Sequence, residues 1–307
     1  MGDLGVELSN GVRPRRGKAW PVVGYFYVYS GMRLRPSGFL ILAAALFACN
    51  GESGTTAPAP PAPPPAAVLL RDVVVSNLPS PFYHFEYDAA GRIKFASYAS
   101  ELTRYDVTYD NAGRISEMQN NILVNHDRLQ YFYDDASRVS EVRYVDPSGT
   151  VFTVVFLTYD GAKLTELERD RRVQGGFIVE KRMAFSYYPD GNLMDITEHR
   201  PPVDGTQNET TTIDHFEQYD TGINVDGFDL IHDDFFDHLV LLPGVQLQKG
   251  NPARQTRTGD GVNFSIIYTY DYDGKNRPLT KHGTVTLTNG ADVGRVIPIS
   301  STFSYYN

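Results

Sequence analysis

Aromatic and polar residues alternate along most of this 307-residue chain, from about residue 68 to its end. The alternation is plainest just before recurring Tyr-Asp pairs. It is seen in three runs of every second residue: Tyr83, Phe85 and Tyr87; Leu129, Tyr131 and Tyr133; Met183, Phe185 and Tyr187. A period of two residues places one aromatic row on one face of a β-strand. The pattern therefore predicts many strands, each with an aromatic face.

A short motif follows these strands: Tyr, Asp, two residues, Gly, Arg and an aliphatic residue. The Asp side chain can accept a hydrogen bond from the backbone two residues on, and the Gly supplies a positive φ. Together they close a type I turn with a bulge. The third copy has Ser137 in place of the Gly, and later copies are degenerate. The turn residues predicted in this way are Tyr87, Asp88, Gly91, Tyr109, Asp110, Gly113, Tyr133 and Asp134.

The spacing of the motif predicts how the strands are connected. The first five copies, from Tyr87 to Tyr187, are 22, 24, 26 and 28 residues apart, which leaves room for two strands and two turns each. We expect an all-β fold, an antiparallel meander of hairpin repeats over residues 68–307, with a short helical insertion at about 222–250. Roughly 12 to 14 strands would twist into one large curled sheet or an incomplete barrel.

The apolar run Phe39–Leu46 stands apart from this pattern. Arg33 and Arg35 precede it, and Leu-Phe-Ala-Cys at residues 46–49 ends it with the only cysteine of the chain. The run is too short to span a bilayer. The segment resembles the signal peptide and lipobox of bacterial lipoproteins. That resemblance implies cleavage before Cys49 and lipidation of its thiol, with two or three acyl chains that give stable membrane anchoring.

The signal divides the N-terminal part of the chain. A signal peptide begins a protein, so we expect translation to start at Met32 and residues 1–31 not to be translated. Residues 32–48 are then the signal peptide, and residues 49–67 are the lipidated Cys and a Pro- and Ala-rich linker. Such a linker can extend up to about 50 Å. No Asp follows Cys49 and no acidic run is present, so we expect an outer-membrane anchor, on the periplasmic face rather than the cell surface.

The composition and the net charge limit the classes of partner that the protein could bind. The chain has 28 Lys and Arg and 37 Asp and Glu; six of the former and two of the latter precede Cys49, so the remainder carries 22 minus 35, a net charge of −13. Such acidity argues against nucleic acid as a partner. With 41% hydrophobic residues the chain can bury a sizeable core, and no cysteine remains for a disulfide.

The insertion is the densest cluster of carboxylates and imidazoles. Its apolar residues recur at helical spacing between Asp226 and Leu242, which predicts one short amphipathic helix. Its acidic side could present ligands to a divalent cation. The other interpretation is a solvated acidic face over an apolar face that plugs the sheet. The candidate metal ligands are Asp229, His232, Asp233 and Asp237. No other cofactor is indicated.

Two further resemblances concern the repeats. The Tyr-Asp motif resembles the YD, or Rhs, repeat of bacterial surface proteins and toxin-encapsulating shells. Residues 73–307 also resemble a domain-of-unknown-function family of bacterial envelope lipoproteins with a porin-like fold. That resemblance rests on the lipobox, the early Tyr-Asp units and three later segments: Lys249–Pro252, Tyr268–Lys275 with Pro278, and Phe303–Tyr306. It implies fold and envelope location, since that family has no assigned activity.

These observations favour one function over another. The leading hypothesis is a non-enzymatic, lipid-anchored envelope protein that scaffolds or binds another envelope component, a protein or a glycan. The alternative is a metal-dependent or carboxylate-based hydrolase centred on Asp229, His232 and Asp233. Strand charges such as Glu86 and Arg104 argue against a barrel wall that faces lipid.

Overall fold

A computed structural model describes residues 68–122, 125–203, 208–232 and 237–307. These residues form sixteen β-strands. The strands are β1 (Leu70–Val75), β2 (Tyr83–Tyr87), β3 (Ile93–Tyr98), β4 (Thr103–Tyr109), β5 (Ile115–Asn120), β6 (Arg128–Tyr133), β7 (Val139–Val145), β8 (Val151–Asp160), β9 (Lys163–Val173), β10 (Gly176–Tyr187), β11 (Leu193–Arg200), β12 (Thr210–Tyr219), β13 (Pro252–Gly259), β14 (Phe264–Tyr272), β15 (Pro278–Leu287) and β16 (Val296–Tyr305).

The sheet is a closed barrel, so the expected curled sheet or incomplete barrel is wrong. Each strand pairs antiparallel with its neighbours in the sequence, and β1 completes the ring by pairing with β16. Val73 lies opposite Phe303 and Val74 opposite Thr302 in that pairing. Closure removes both edges, whose unpaired backbone groups would otherwise need water or a partner chain. The antiparallel all-β meander itself is confirmed.

The predicted helix in the insertion is also wrong over the part that the structure describes. A single turn of 3₁₀ helix covers Gly227–Leu230, and residues 237–242 follow without helical structure. Residues 233–236 lie outside the described ranges. In the described ranges, no helix is both long and apolar enough to cross a membrane.

The inner face of the barrel is the hydrophobic core. Alternate residues of each strand point inward, as the two-residue period predicts, and many are aromatic. Tyr105, Met118 and Leu129 are fully buried, and the largest buried side chains also include Tyr83, Tyr144 and Phe216. Full burial of a large apolar side chain contributes about 2 kcal/mol. The aromatic rows of the sequence therefore line the inside of the barrel.

The outer face carries charges that pair across strands. Lys94 Nζ on β3 lies 2.9 Å from Glu86 Oε2 on β2, and Arg254 Nη1 on β13 lies 3.2 Å from Glu217 Oε1 on β12. Exposed pairs of this kind contribute at most about 1 kcal/mol each. Exposed apolar side chains such as Phe132 stand among them, with the Arg143 guanidinium 4.3 Å from the Phe132 ring. The outer face thus carries both charge pairs and exposed apolar side chains.

Asp170 is a half-buried residue of β9. Among the described residues, its Oδ1 atom is buried without a hydrogen bond, and its strand neighbours are Val154 and Val179. Burial, with a smaller effect from Glu168, raises the pKa of Asp170 to about 6. The fold therefore favours the protonated carboxyl. This contribution to stability is present at low pH and is lost as the pH rises through about 6.

We expect Asp170→Asn to stabilise the barrel at pH 8 and to change little at pH 4. The gain at pH 8 should be roughly 1 kcal/mol, after allowance for solvent screening of a half-buried group. Urea unfolding of both proteins at the two pH values measures the difference. An equal effect at both values would show that ionisation of Asp170 does not matter.

Candidate functional site

The chain between β12 and β13 enters the barrel and fills part of its interior. We call its described residues, 220–232 and 237–251, the plug. Five of its apolar side chains join the barrel core: Leu239, Val240, Leu241, Leu242 and Leu247. Leu239 is completely buried. The plug is therefore part of the core rather than a surface insertion.

Tyrosines of the inner wall bind the plug through their hydroxyl groups. Tyr98 donates to the carbonyl oxygen of Asp237 at 2.5 Å. The Tyr105 hydroxyl lies 2.7 Å from His238 Nδ1 and accepts a hydrogen bond from the Leu239 amide at 3.2 Å. Tyr131 accepts one from the Leu241 amide at 3.2 Å. These bonds satisfy backbone groups that have no β-ladder partner.

Burial keeps these hydroxyls protonated. It raises the pKa of Tyr105 well above its usual value, and that of Tyr131 in the same direction. A neutral phenol can both donate and accept a hydrogen bond. The tyrosines are thus suited to hold a segment whose amides and carbonyls both need partners.

Asp229 and His232 meet at another wall tyrosine. The Tyr83 hydroxyl donates to Asp229 Oδ1 at 2.5 Å and lies 2.8 Å from His232 Nδ1. Desolvation, with a smaller effect from Asp226, raises the pKa of Asp229 above its usual value. Burial and the nearby Asp229 likewise raise the pKa of Tyr83. The three groups form a short internal hydrogen-bonded cluster.

Two other acidic groups of the plug pair with basic groups of the wall. Asp226 Oδ2 lies 2.9 Å from Lys281 Nζ on β15. Burial alone would lower the pKa of Lys281, but Asp226 and neighbouring tyrosines outweigh it and raise the pKa. Asp237 forms an ion pair with Arg169 of β9. The plug carboxylates are therefore bound separately, at different places on the wall.

The candidate metal ligands do not form a metal site in the described structure. Asp229 and His232 are brought together by Tyr83, whereas Asp237 binds Arg169. Asp233 lies outside the described residues. Within the described ranges, no group of three or more His, Cys, Asp or Glu side chains could hold a metal ion.

The base of the plug is built by a degenerate copy of the motif. Asn192 takes the place of the motif Arg, and its Oδ1 accepts hydrogen bonds from the amides of Lys249 and Gly250, at 2.8 and 3.0 Å. A Cβ at Gly250 would lie 2.2 Å from the carbonyl oxygen of Asp220, so only glycine fits. The departure from the repeat at Asn192 is visible in the sequence, but the sequence does not show that this side chain binds the plug.

The predicted turn residues lie at one end of the barrel. In the second copy, Asp110 Oδ1 accepts from the amides of Ala112 and Arg114, and Oδ2 accepts from Arg114 Nε, all at 2.9 Å. The Arg114 amide and guanidinium hold the pKa of Asp110 below its usual value. The same arrangement occurs around Asp88 and Asp134. Gly91 and Gly113 have φ near +76° and +78°, and Ser137 adopts +61°.

The motif also joins neighbouring repeats, which the sequence analysis missed. The Arg114 guanidinium lies 4.3 Å from the ring centre of Tyr133 in the next copy. The Tyr133 hydroxyl donates back to the Ile115 carbonyl at 2.6 Å. Arg92 and Tyr109 repeat this pattern, with the Tyr109 hydroxyl 2.7 Å from the Ile93 carbonyl oxygen. The fixed order of Tyr, Asp and Arg thus serves the contacts between hairpins as well as the turn.

A cavity of about 550 Å³ lies at this turn end, between the plug and the inner wall. Most of its lining is apolar or aromatic. The wall contributes Leu70, Phe85, Tyr87, Ile93, Tyr109, Ile115 and Tyr133, and the plug contributes Asn224, Val225, Phe228, Leu241, Leu242 and Pro243. Arg92, Gly113, Arg114 and Ser137 line it from the turns.

Comparison with known proteins bears on the barrel alone. No family model matches the chain, and no curated protein sequence matches it. A porin-like protein from Bacteroides uniformis ATCC 8492 has a similar structure, with a TM-score of 0.50 and 11% identity over 73% of this chain and 89% of that one. The chain has a porin-like fold. The expected porin-like fold is thereby confirmed, and at this identity the likeness says nothing of activity.

A porin-like protein from Bacteroides vulgatus ATCC 8482 is also similar in outline. Its TM-score is 0.48, with 14% identity over 78% of this chain and 99% of that one. The predicted lipobox, lipidation and repeat family remain predictions.

Proposed function

We propose that this protein is a lipid-anchored envelope protein whose barrel is a non-enzymatic binding or scaffold module. One observation carries the proposal: the plug occupies the interior and is bound to the wall by Tyr83, Tyr98, Tyr105 and Tyr131. A barrel whose interior is packed and hydrogen-bonded in this way is suited to presenting surfaces, not to conducting solutes.

The arrangement of acidic groups supports a non-enzymatic role. A carboxylate-based hydrolase needs two carboxyl groups facing one substrate bond. In the plug, Asp226 is paired with Lys281, Asp229 with Tyr83, and Asp237 with Arg169. Asp226 lies near enough to Asp229 to help raise its pKa. Among the described residues, however, each of the three carboxylates is already bound by its own side chain of the wall.

The N-terminal sequence and the outer face support the location. The lipobox ending at Cys49 predicts acyl chains on the mature N-terminus. The described strands carry charge pairs on the outer face, such as Lys94 with Glu86 and Arg254 with Glu217, and charges of this kind are unfavourable on a wall that faces lipid. The porin-like structure that matches with a TM-score of 0.50 comes from Bacteroides. We therefore place the barrel beside an outer membrane, on its periplasmic face, where it would bind an envelope protein or glycan.

The intact mass of the detergent-extracted protein tests the anchor. Expression of the full reading frame in a Gram-negative host should give a species that begins at Cys49 and carries acyl groups. Cys49→Ala should give an unlipidated precursor instead. A chain that retains Trp20 and has no lipid would contradict the anchored location.

The same preparation tests the role of the plug. Reconstituted into a planar bilayer, the lipidated protein should give no conductance steps. Steps seen with the wild type but absent with the Cys49→Ala protein would contradict the proposal of a non-conducting module.

A further inference from the structure

The cavity at the turn end is extended along the wall. It contacts β2 at Phe85, β3 at Ile93, β4 at Tyr109, β5 at Ile115 and β6 at Tyr133. Adjacent strands are about 4.8 Å apart, so a site crossing five strands is roughly 19 Å long. Its volume of about 550 Å³ lies within the range of small-molecule sites. The shape favours an elongated ligand over a compact one.

The tyrosine hydroxyls around the cavity are already bound to the backbone. Tyr87 donates to the Leu70 carbonyl at 2.9 Å, and Tyr109 and Tyr133 donate to carbonyls of β3 and β5. The hydroxyl protons are therefore not available to a ligand, and the rings contribute mainly apolar surface to the cavity, although an Arg guanidinium lies over the rings of Tyr109 and Tyr133. A sugar or a peptide needs hydrogen-bond partners when it is desolvated, and these residues do not supply them.

The other polar groups of the lining are engaged as well. Asn224 Oδ1 accepts from the Gly227 amide at 3.0 Å, and its Nδ2 bonds Asp226, Gln248 and Asn251. At the mouth, Arg92 and Arg114 pair with the motif carboxylates of Asp88 and Asp110. The mouth therefore has no excess charge that would demand an ionic ligand.

We propose that this cavity binds one unbranched acyl chain. The inference goes beyond the proposed binding of an envelope protein or glycan, and its biological setting rests on the proposed envelope location. An acyl chain needs no hydrogen bonds, matches the elongated shape and gains affinity from each methylene that leaves water.

Two sources could supply that chain. One is a free single-chain amphiphile of the envelope. The other is the acyl group predicted on Cys49, because Val68 lines the cavity and lies only 19 residues after Cys49. A linker of this length can extend up to about 50 Å, so the reach is sufficient.

Binding of dansyl-labelled undecanoic acid tests the proposal. The lipid-free chain that starts at residue 50 retains all sixteen strands and the plug, and it should enhance the dansyl fluorescence. Unlabelled fatty acids should displace the probe, with affinity rising roughly fourfold per methylene from eight to twelve carbons. Maltose should not displace it. No binding, or displacement independent of chain length, would overturn the proposal.

Matched variants locate the site. Ile93→Trp on the inner face of β3 should fill the cavity and weaken probe binding by about tenfold or more. Phe95→Trp, on the outer face of the same strand, should leave the affinity within about twofold. Val225→Phe should fill the cavity from the side of the plug. It replaces Ile93→Trp in this test if the Ile93→Trp protein shows no cooperative unfolding and is therefore not folded. Equal binding by the folded cavity variants and Phe95→Trp would contradict this site.

The lipidated protein identifies the source. If it also takes up the probe, the ligand is a free amphiphile; if only the lipid-free chain does, the Cys49 acyl group fills the cavity. Both results support an acyl-chain site. If the lipid-free chain does not bind the probe, the intact mass of the detergent-extracted protein can still show acyl groups on Cys49. Failure of the acyl-chain site is therefore distinguishable from failure of the proposed anchor.

Discussion

Tyr105→Ala should lower the free energy of unfolding by about 3–5 kcal/mol, as truncation of a buried aromatic residue does. Tyr105 is fully buried on the inner face of β4. Its ring fills the space between the wall and the plug, and its hydroxyl contacts His238 and the Leu239 amide. The variant leaves a cavity and two polar groups without a partner. Urea unfolding followed by near-UV and far-UV circular dichroism measures the loss.

Tyr105→Phe separates the hydroxyl from the ring. It keeps the packing and removes the two hydrogen bonds, so it should cost about 1–3 kcal/mol. Thr108→Ala, an exposed residue on the outer face of the same strand, should stay within about 0.5 kcal/mol of the wild type. If Tyr105→Phe and Thr108→Ala were equally mild, the tyrosine hydroxyls would not hold the plug.

The sequence predicts the order of the strands because the signals are local, although the barrel has sixteen strands rather than the 12 to 14 expected. Alternation before Tyr87, Tyr109 and Tyr133 gives the inward face, and the Tyr-Asp motif gives the turns. Hairpins that follow one another in the sequence pair with each other, so the meander follows. Each of these signals lies within a single hairpin or between two hairpins that are adjacent in the sequence.

Closure of the barrel depends on a distant contact, so the sequence analysis missed it. β1 precedes the first motif and pairs with β16 at the other end of the sheet. Val73 and Phe303 alternate like residues of any other strand, and alternation does not say which strand is the partner. A sheet with free edges and a closed ring therefore have the same local pattern.

The plug shows a second reason why the sequence did not predict the structure. Its apolar residues from Phe228 to Leu242 fit a helical period, which led to the predicted helix. In the barrel, the backbone amides of Leu239 and Leu241 instead donate hydrogen bonds to the hydroxyl groups of Tyr105 and Tyr131. Surrounded by wall on several sides, an irregular segment can bury residues that face different directions. The helical period is then not informative, because there is no single buried face.

The candidate site was predictable only in part. The sequence singled out Asp229 and His232, and the structure places them at one tyrosine, Tyr83. It could not predict that Asp226 and Asp237 would find basic partners on other strands, since those pairs depend on where the plug lies. The cavity has no sequence signal of its own, because its lining comes from both the wall and the plug.

The second large effect is expected from a disulfide across the seam between β1 and β16. Val74 and Thr302 are exposed and lie opposite each other, where antiparallel Cα atoms are about 4.5–5.5 Å apart. That separation suits a disulfide. The bond would close a loop of most of the chain, for which chain entropy gives a stabilisation of roughly 5 kcal/mol. Urea unfolding with and without reductant measures it.

Thr269→Cys with His282→Cys is the matched control. These residues are also exposed partners, on β14 and β15, which adjoin whether the sheet is closed or open. Both pairs are placed in the chain that starts at residue 50, which has no other cysteine.

The direct test of the closed barrel is the count of free thiols by intact mass, after mild oxidation of the folded proteins and alkylation. A closed barrel predicts that both pairs lose their two thiols at similar rates within one chain. A disulfide in the control pair alone, with Val74→Cys and Thr302→Cys remaining alkylated, would show that β1 and β16 do not pair and that the sheet is open.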